Sequence, residues 1–166
     1  MARTELERTV QYSLLDRLVD HDPLARAEVA MSMAQSVRML KASVRRDLEW
    51  LLNTRRIPEP APENLTEVEQ SLYNYGLPDI TSLSRDSAAS YTRLLRQVDR
   101  AIAQFEPRLT RVRVSLVETE GESARRELRF LIEAVLRMDP NPEPVLFDTV
   151  LEFSSGEYEV KGDARA

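Results

Sequence analysis

The chain has no cysteine, so no disulfide can staple it and no thiolate can serve as nucleophile or metal ligand. It has one histidine, His21, beside Asp22 and Pro23. A single imidazole without thiols is a poor start for a zinc centre, and Ser-His-Asp catalysis would depend on that same His21 with no nucleophile-elbow pattern near it. The four glycines are scattered, which excludes a glycine-rich phosphate loop. Aromatic residues are only 6% of the chain, few for the stacking platforms of a sugar cleft. No stretch approaches the roughly 18 apolar residues that span a bilayer. Arg3, Glu5, Glu7 and Arg8 stand where a signal peptide needs an apolar run. Neither charge sign is concentrated: the net charge is −5, with arginines and glutamates interleaved, unlike the basic face of a nucleic-acid binder. These absences predict a soluble, cytoplasmic protein with no cofactor, no metal, no nucleic-acid partner and no membrane insertion.

What is present is helical periodicity followed by alternation. A chain of 166 residues is expected to form one domain with an N-terminal arm. Leu6, Val10, Leu14, Leu15 and Leu18 recur at helical spacing up to His21-Asp22-Pro23. We therefore divide the chain into an amphipathic arm, residues 1–22, and a single domain, residues 23–166. Deleting the arm is expected to leave a folded domain with weakened partner binding.

Met33, Val37, Leu40, Val44, Leu48, Leu51 and Leu52 predict a second helix. It carries Trp50, the only tryptophan, and Arg55 and Arg56 are expected in its last turn. Ile57-Pro58-Glu59-Pro60-Ala61-Pro62 reads as a stiff extended connector. Asn64 and Glu67 suggest a capping-box start for a short helix with Leu65, Val68 and Leu72, ended by Gly76 and Pro78. Tyr91, Leu94, Leu95, Val98, Ile102 and Phe105 predict the strongest helix. Beyond it the period becomes two: Val112 to Leu116, Leu128 to Leu136, Val145 to Leu151, and Tyr158 with Val160, with Gly121 at a hairpin position. Helices before strands predict an α+β fold, an antiparallel or mixed sheet packed against the helix ending at Phe105. Leu131 and Val135 lie on the nominally polar face of their strand, which suggests cover on both sides of the sheet.

Two groups of residues are candidates for function. At Glu106-Pro107-Arg108 the proline forces the chain out of helical geometry and fixes two opposite charges on a rigid corner. The pair is expected to bind a partner and to matter little for folding, so that Arg108→Ala keeps a near-normal melting temperature. In the second group Asn53, Arg55 and Arg56 could bind acidic groups of a neighbouring subunit, or simply close a helix. Paired-carboxylate glycosidase chemistry would draw on Glu49, Asp79, Glu106, Glu133 or Asp148, none of which has an apolar sequence context that marks it as desolvated.

Four segments carry a resemblance in order: Leu14-Leu15-Asp16-Arg17-Leu18, Ser43 to Arg56, Tyr75-Gly76-Leu77-Pro78-Asp79, and Phe105-Glu106-Pro107-Arg108-Leu109. Together they resemble the TssE family, baseplate subunits of bacterial type VI secretion systems, which are similar to the wedge proteins of contractile-phage baseplates. The resemblance implies a non-catalytic structural subunit that binds TssF, TssG and TssK. It would act where the TssB–TssC sheath begins to polymerise, in a cytoplasmic baseplate docked at the inner membrane complex. It also implies that Glu106, Pro107 and Arg108 contact the wedge core. The family's lysozyme-like label gives a glycoside hydrolase as the alternative, and a regulatory anti-adaptor shares the fold. Sheath seeding could use an exposed strand edge, with Val145 to Phe153 and Tyr158 to Lys161 as candidates.

Overall fold

A computed structural model describes residues 13–19, 32–62, 64–79, 88–118, 121, 126–138 and 141–163. His21-Asp22-Pro23 and the arm before Ser13 lie outside them. The order is α1 (Leu14–Leu18), α2 (Met33–Asn53), α3 (Thr66–Glu69), a 3₁₀ turn (Leu72–Asn74), α4 (Ala88–Phe105), then β1 (Leu109–Leu116), β2 (Glu127–Leu136), β3 (Glu143–Glu152) and β4 (Tyr158–Asp163). The strands form one antiparallel meander in the order β1-β2-β3-β4. The fold is α+β, as the change of period predicts.

Two helices cover one face of the sheet: α2 packs against β4, α4 against β1, and the helices touch each other. The core takes Leu40, Val44, Leu48, Leu51 and Leu52 from α2 and Leu94, Val98 and Ile102 from α4. Against them stand Phe130 and Ile132 of β2, Phe147 and Leu151 of β3, and Val160 of β4. Alternation puts Leu131 and Val135 on the opposite face, half-buried, together with an Arg129–Asp148 ion pair of 2.5 Å.

Three local expectations change. The second helix ends at Asn53 rather than including Arg55 and Arg56. Thr54 takes extended geometry, and its carbonyl accepts from Leu77 N at 2.9 Å while Arg56 N donates to Leu77 O at 2.8 Å. This bridge to the Leu77 segment competes with another helical turn and wins. The box at Asn64 does not form: α3 starts after Leu65, has no side-chain cap and lasts four residues. A capping box instead starts α2, where Ser32 and Gln35 satisfy each other's backbone N–H groups at 2.9 and 3.3 Å. Third, α1 begins at Leu14 with Ser13 as its N-cap; Leu6 and Val10 of the helix expected over Leu6–Leu18 lie outside the described residues.

The sheet edges are unequal. β3 lies inside the sheet, so Val145 to Phe153 is not an edge. β4 is an edge, but α2 occupies it. The Asn53 side chain donates to Tyr158 O and accepts from Tyr158 N, both at 2.8 Å, as a neighbouring strand would. Arg45 Nη1 donates to Val160 O at 3.2 Å. On β1, Val117 N donates to Arg129 O at 2.9 Å, so by antiparallel alternation Arg113 and Ser115 also face β2. Val112, Val114 and Leu116 turn their backbone groups outward, where no hydrogen bond meets them among the described residues. A bulge between Thr110 and Arg113, with Arg111 at φ 54°, bends this edge.

Candidate functional site

The corner is built from local geometry and then wired into the body of the protein. Glu106 N closes the last turn of α4 on Ile102 O at 2.9 Å, and Leu109 N returns to Glu106 O at 3.1 Å. Between them Pro107 is exposed and Glu106 is only 4% exposed. A carboxylate buried this deeply needs partners. Arg108 supplies them: its Nε donates to Glu106 Oε1 at 2.7 Å, its Nη2 to Oε2 at 2.5 Å, and its backbone N–H to Oε1 at 3.1 Å. Fork-to-fork pairing of this kind is short, directional and charge-assisted.

Arg108 then reaches across to α2. Nη2 also donates to Asp47 Oδ2 at 2.6 Å and Nη1 to Ser43 Oγ at 3.1 Å. Asp47 accepts on its other oxygen from Arg46, at 2.8 and 3.0 Å. Arg46 in turn pairs with Asp16 of α1 at 2.8 Å and lies over the Trp50 ring, 4.9 Å from its centroid. Asp16 also accepts from Ser43 Oγ at 2.5 Å and from Ser13 Oγ at 2.6 Å. One polar network thus joins α1, α2 and the corner. Burial drives the Arg108 guanidinium toward loss of its proton, but Glu106 and Asp47 outweigh it and hold its pKa above the ordinary value.

Asp16 shows the same balance. Burial alone would raise its pKa, yet the bonds from Ser13, Ser43 and Arg46 bring it from 3.8 down to about 2. A depressed carboxylate contributes stability that is full above its unfolded value of 3.8 and is lost as pH falls toward about 2. Urea unfolding at about pH 7 and about pH 3 should show this. The advantage of the natural chain over Asp16→Asn should be larger at the higher pH and shrink at the lower. An advantage independent of pH would mean that α1 is not held by this ion pair.

The structure spends most of the candidate side chains on partners within the chain. Glu106 and Arg108 bond each other. Asn53 is spent on β4. Arg55 pairs with exposed Asp79 at 2.5 Å, and Arg56 is exposed. The corner's real companions are Ser43, Arg46, Asp47 and Asp16. Spacing held a signal for them: polar residues at i, i+3 and i+4 put Ser43, Arg46 and Asp47 on one side of a helix. Among the carboxylates considered for glycosidase chemistry, Asp79 and Asp148 are each paired to arginine, and both Glu106 oxygens are taken by Arg108. Glu106 is therefore engaged within the fold rather than presented as a free carboxyl.

A small α+β body whose charged corner is braced from three elements has the build of an assembly subunit. The chain belongs to the family of baseplate wedge protein gp25, whose model matches residues 38–141. That family is structural, it includes TssE, and its members work with other baseplate proteins. The matched span contains α2 from Arg38 onward, the Leu77 bridge, α4, the corner, β1 and β2. No curated protein matches the chain. Among the described residues no helix is long and apolar enough to cross a membrane.

Proposed function

We propose that this chain is a non-catalytic subunit of a type VI secretion baseplate wedge. In this reading it binds TssF and TssG, meets TssK, and helps to start polymerisation of the TssB–TssC sheath in the cytoplasm, on a baseplate docked at the inner membrane complex. The observation that carries the reading is the corner: Glu106 and Arg108 are locked by α2, which leaves Pro107 and the outer side of Arg108 as a preformed contact for the wedge core. Arg55, Arg56 and Asn53 border a second contact at the end of α2. Residues 1–22 act as an arm clipped through Asp16 to the domain of residues 23–166.

Sheath seeding uses the β1 edge, because side chains of α2 already cover β4. An incoming strand would pair with the outward groups of Val112, Val114 and Leu116. Co-expression tests the reading: the chain should co-purify with TssF and TssG and release nothing from peptidoglycan. Val114→Pro removes an outward N–H and no ladder bond. It should leave that co-purification intact while sheath assembly in cells is lost. Turnover of cell-wall substrate that disappears in Glu→Gln variants would establish the glycoside hydrolase instead. Sheaths of normal number with Val114→Pro would show that β1 is not the seeding edge.

A further inference from the structure

The edge of β1 carries charge that the fold does not use. Arg111 and Arg113 are exposed, and neither side chain makes a hydrogen bond or an ion pair among the described residues. Glu133 stands across from Arg113 on β2, and no ion pair joins them. Arg137 adds a third cation where β1 begins: its N–H donates to Arg108 O at 2.8 Å and its Nη1 to Pro107 O at 3.4 Å. α4 packs on β1 and shows Arg93, Arg96 and Arg100 to solvent. Residues 88–116 thus hold six arginines against Asp99 and Glu106, and Glu106 is already matched by Arg108. On a chain of net −5 this is a locally positive border. Its sign reverses at the far end, where exposed Glu118 follows β1.

The same edge is shaped for a strand. Val112, Val114 and Leu116, whose backbone groups point outward, share the face that α4 covers. Val112 and Val114 pack on the core, and Leu116 is 43% exposed at the end of the row. Arg113 and Ser115 project from the other face, beside Glu133 and Leu131 of β2. Arg111 sits in the bulge at φ 54°, the one non-glycine at positive φ among the described residues. Glycine would hold that conformation with less strain. What arginine brings to the position is therefore its charged side chain.

We propose that the β1 edge selects a strand that alternates apolar and acidic residues. The apolar side chains of that strand continue the row of Val112, Val114 and Leu116. Its carboxylates lie beside Arg111 and Arg113, at the bulge end of the edge. Opposite charges side by side on neighbouring strands stabilise pairing, and like charges oppose it. The same rule excludes a second copy of this chain. Antiparallel self-pairing centred on Arg113 sets two arginines directly opposite each other, and centred on Val114 it makes them diagonal neighbours. Charges on an edge guard it against self-association in this way. The proposal rests on the reading of β1 as the seeding edge and adds which strand that edge accepts.

The test places a photo-crosslinking amino acid at Ser115 of the full chain, in cells that assemble the sheath. It should capture a segment that alternates apolar residues with at least two carboxylates. Made as a peptide, that segment should bind the purified chain, and Arg111→Gly combined with Arg113→Thr should weaken binding about tenfold. Glycine suits the left-handed position and threonine suits a strand. The double variant should therefore unfold at no lower urea concentration than the natural chain and still co-purify with TssF and TssG. Arg113→Glu should lose the peptide, and lysine in place of the facing carboxylate should restore it. Capture of a neutral or basic segment, or of a second copy, would overturn the proposal, as would equal peptide binding by the double variant. If a neutral strand is captured and Val114→Pro still abolishes sheaths, the charge rule falls and the seeding edge stands. Absence of any capture sinks the proposal, and the seeding reading falls with it if Val114→Pro also leaves sheaths normal.

Discussion

Arg108→Ala is expected to destabilise the fold by about 3 kcal/mol or more, the range for breaking a buried ion pair from one side. The side chain of Arg108 is 19% exposed and that of Glu106 6%, so the pair is not a surface salt bridge. Alanine removes both guanidinium bonds to Glu106 and leaves a carboxylate buried with only the backbone N–H of residue 108. It also takes one partner each from Asp47 and Ser43. The melting temperature should fall by roughly 10 °C for a chain of this size. Arg108→Lys should recover only part of the loss, because an ammonium cannot reproduce the two-pronged contact with Glu106. A double substitution, Glu106→Gln with Arg108→Ala, should be less damaging than the sum of the single changes, because no charge is left stranded. A near-normal melting temperature for Arg108→Ala would mean that Glu106 finds other partners, and that the corner serves contacts outside the chain alone.

This result would reverse the expectation drawn from the corner's sequence, and the reason is instructive. Glu-Pro-Arg shows a rigid turn with two charges, which is what forms. The sequence around it does not show depth. Ser43 and Asp47 come from 65 and 61 positions away, and burial of Glu106 is set by how α2 crosses the corner. Ser43, Arg46 and Asp47 were visible as a polar stripe on an apolar helix, yet only tertiary packing says which charge each one meets.

Elements with a long, clean period were the legible ones. The stripe from Tyr91 to Phe105 became α4, and the alternations became a four-stranded meander. Short elements failed where one long-range bond outweighed a local preference. Asn64 and Glu67 satisfied a capping pattern without a helix long enough to use it. Arg55 and Arg56 fit a helix end by charge, but the bridge of Thr54 and Arg56 to Leu77 pulled them out of it. Asn53 had no local sign of its role, because the groups it bonds lie 105 residues away on Tyr158.

Gly76→Ala is expected to be strongly destabilising. Gly76 sits at φ 97°, a conformation that costs an L-residue about 1–2 kcal/mol. Space is the second problem. A Cβ built there would lie 2.3 Å from Thr54 O and 2.8 Å from Thr54 C. Those are backbone atoms of the residue whose carbonyl accepts from Leu77 N, so relief means parting the two segments. Parting them breaks the paired bonds that end α2, draws Leu77 out of the core, where it is 2% exposed, and shifts Tyr75 away from Phe105. Backbone strain plus overpacking should cost about 3 kcal/mol or more. Gly121→Ala is the matched control: its φ is 78°, but among the described residues nothing lies within 4 Å of the added carbon. It should cost only the backbone share, about 1–2 kcal/mol. Chemical denaturation of the two variants therefore measures the close approach at Thr54 by difference. Equal losses in both would show that the Leu77 segment moves aside at no cost. The bridge to Thr54 would then not be what stops α2 at Asn53.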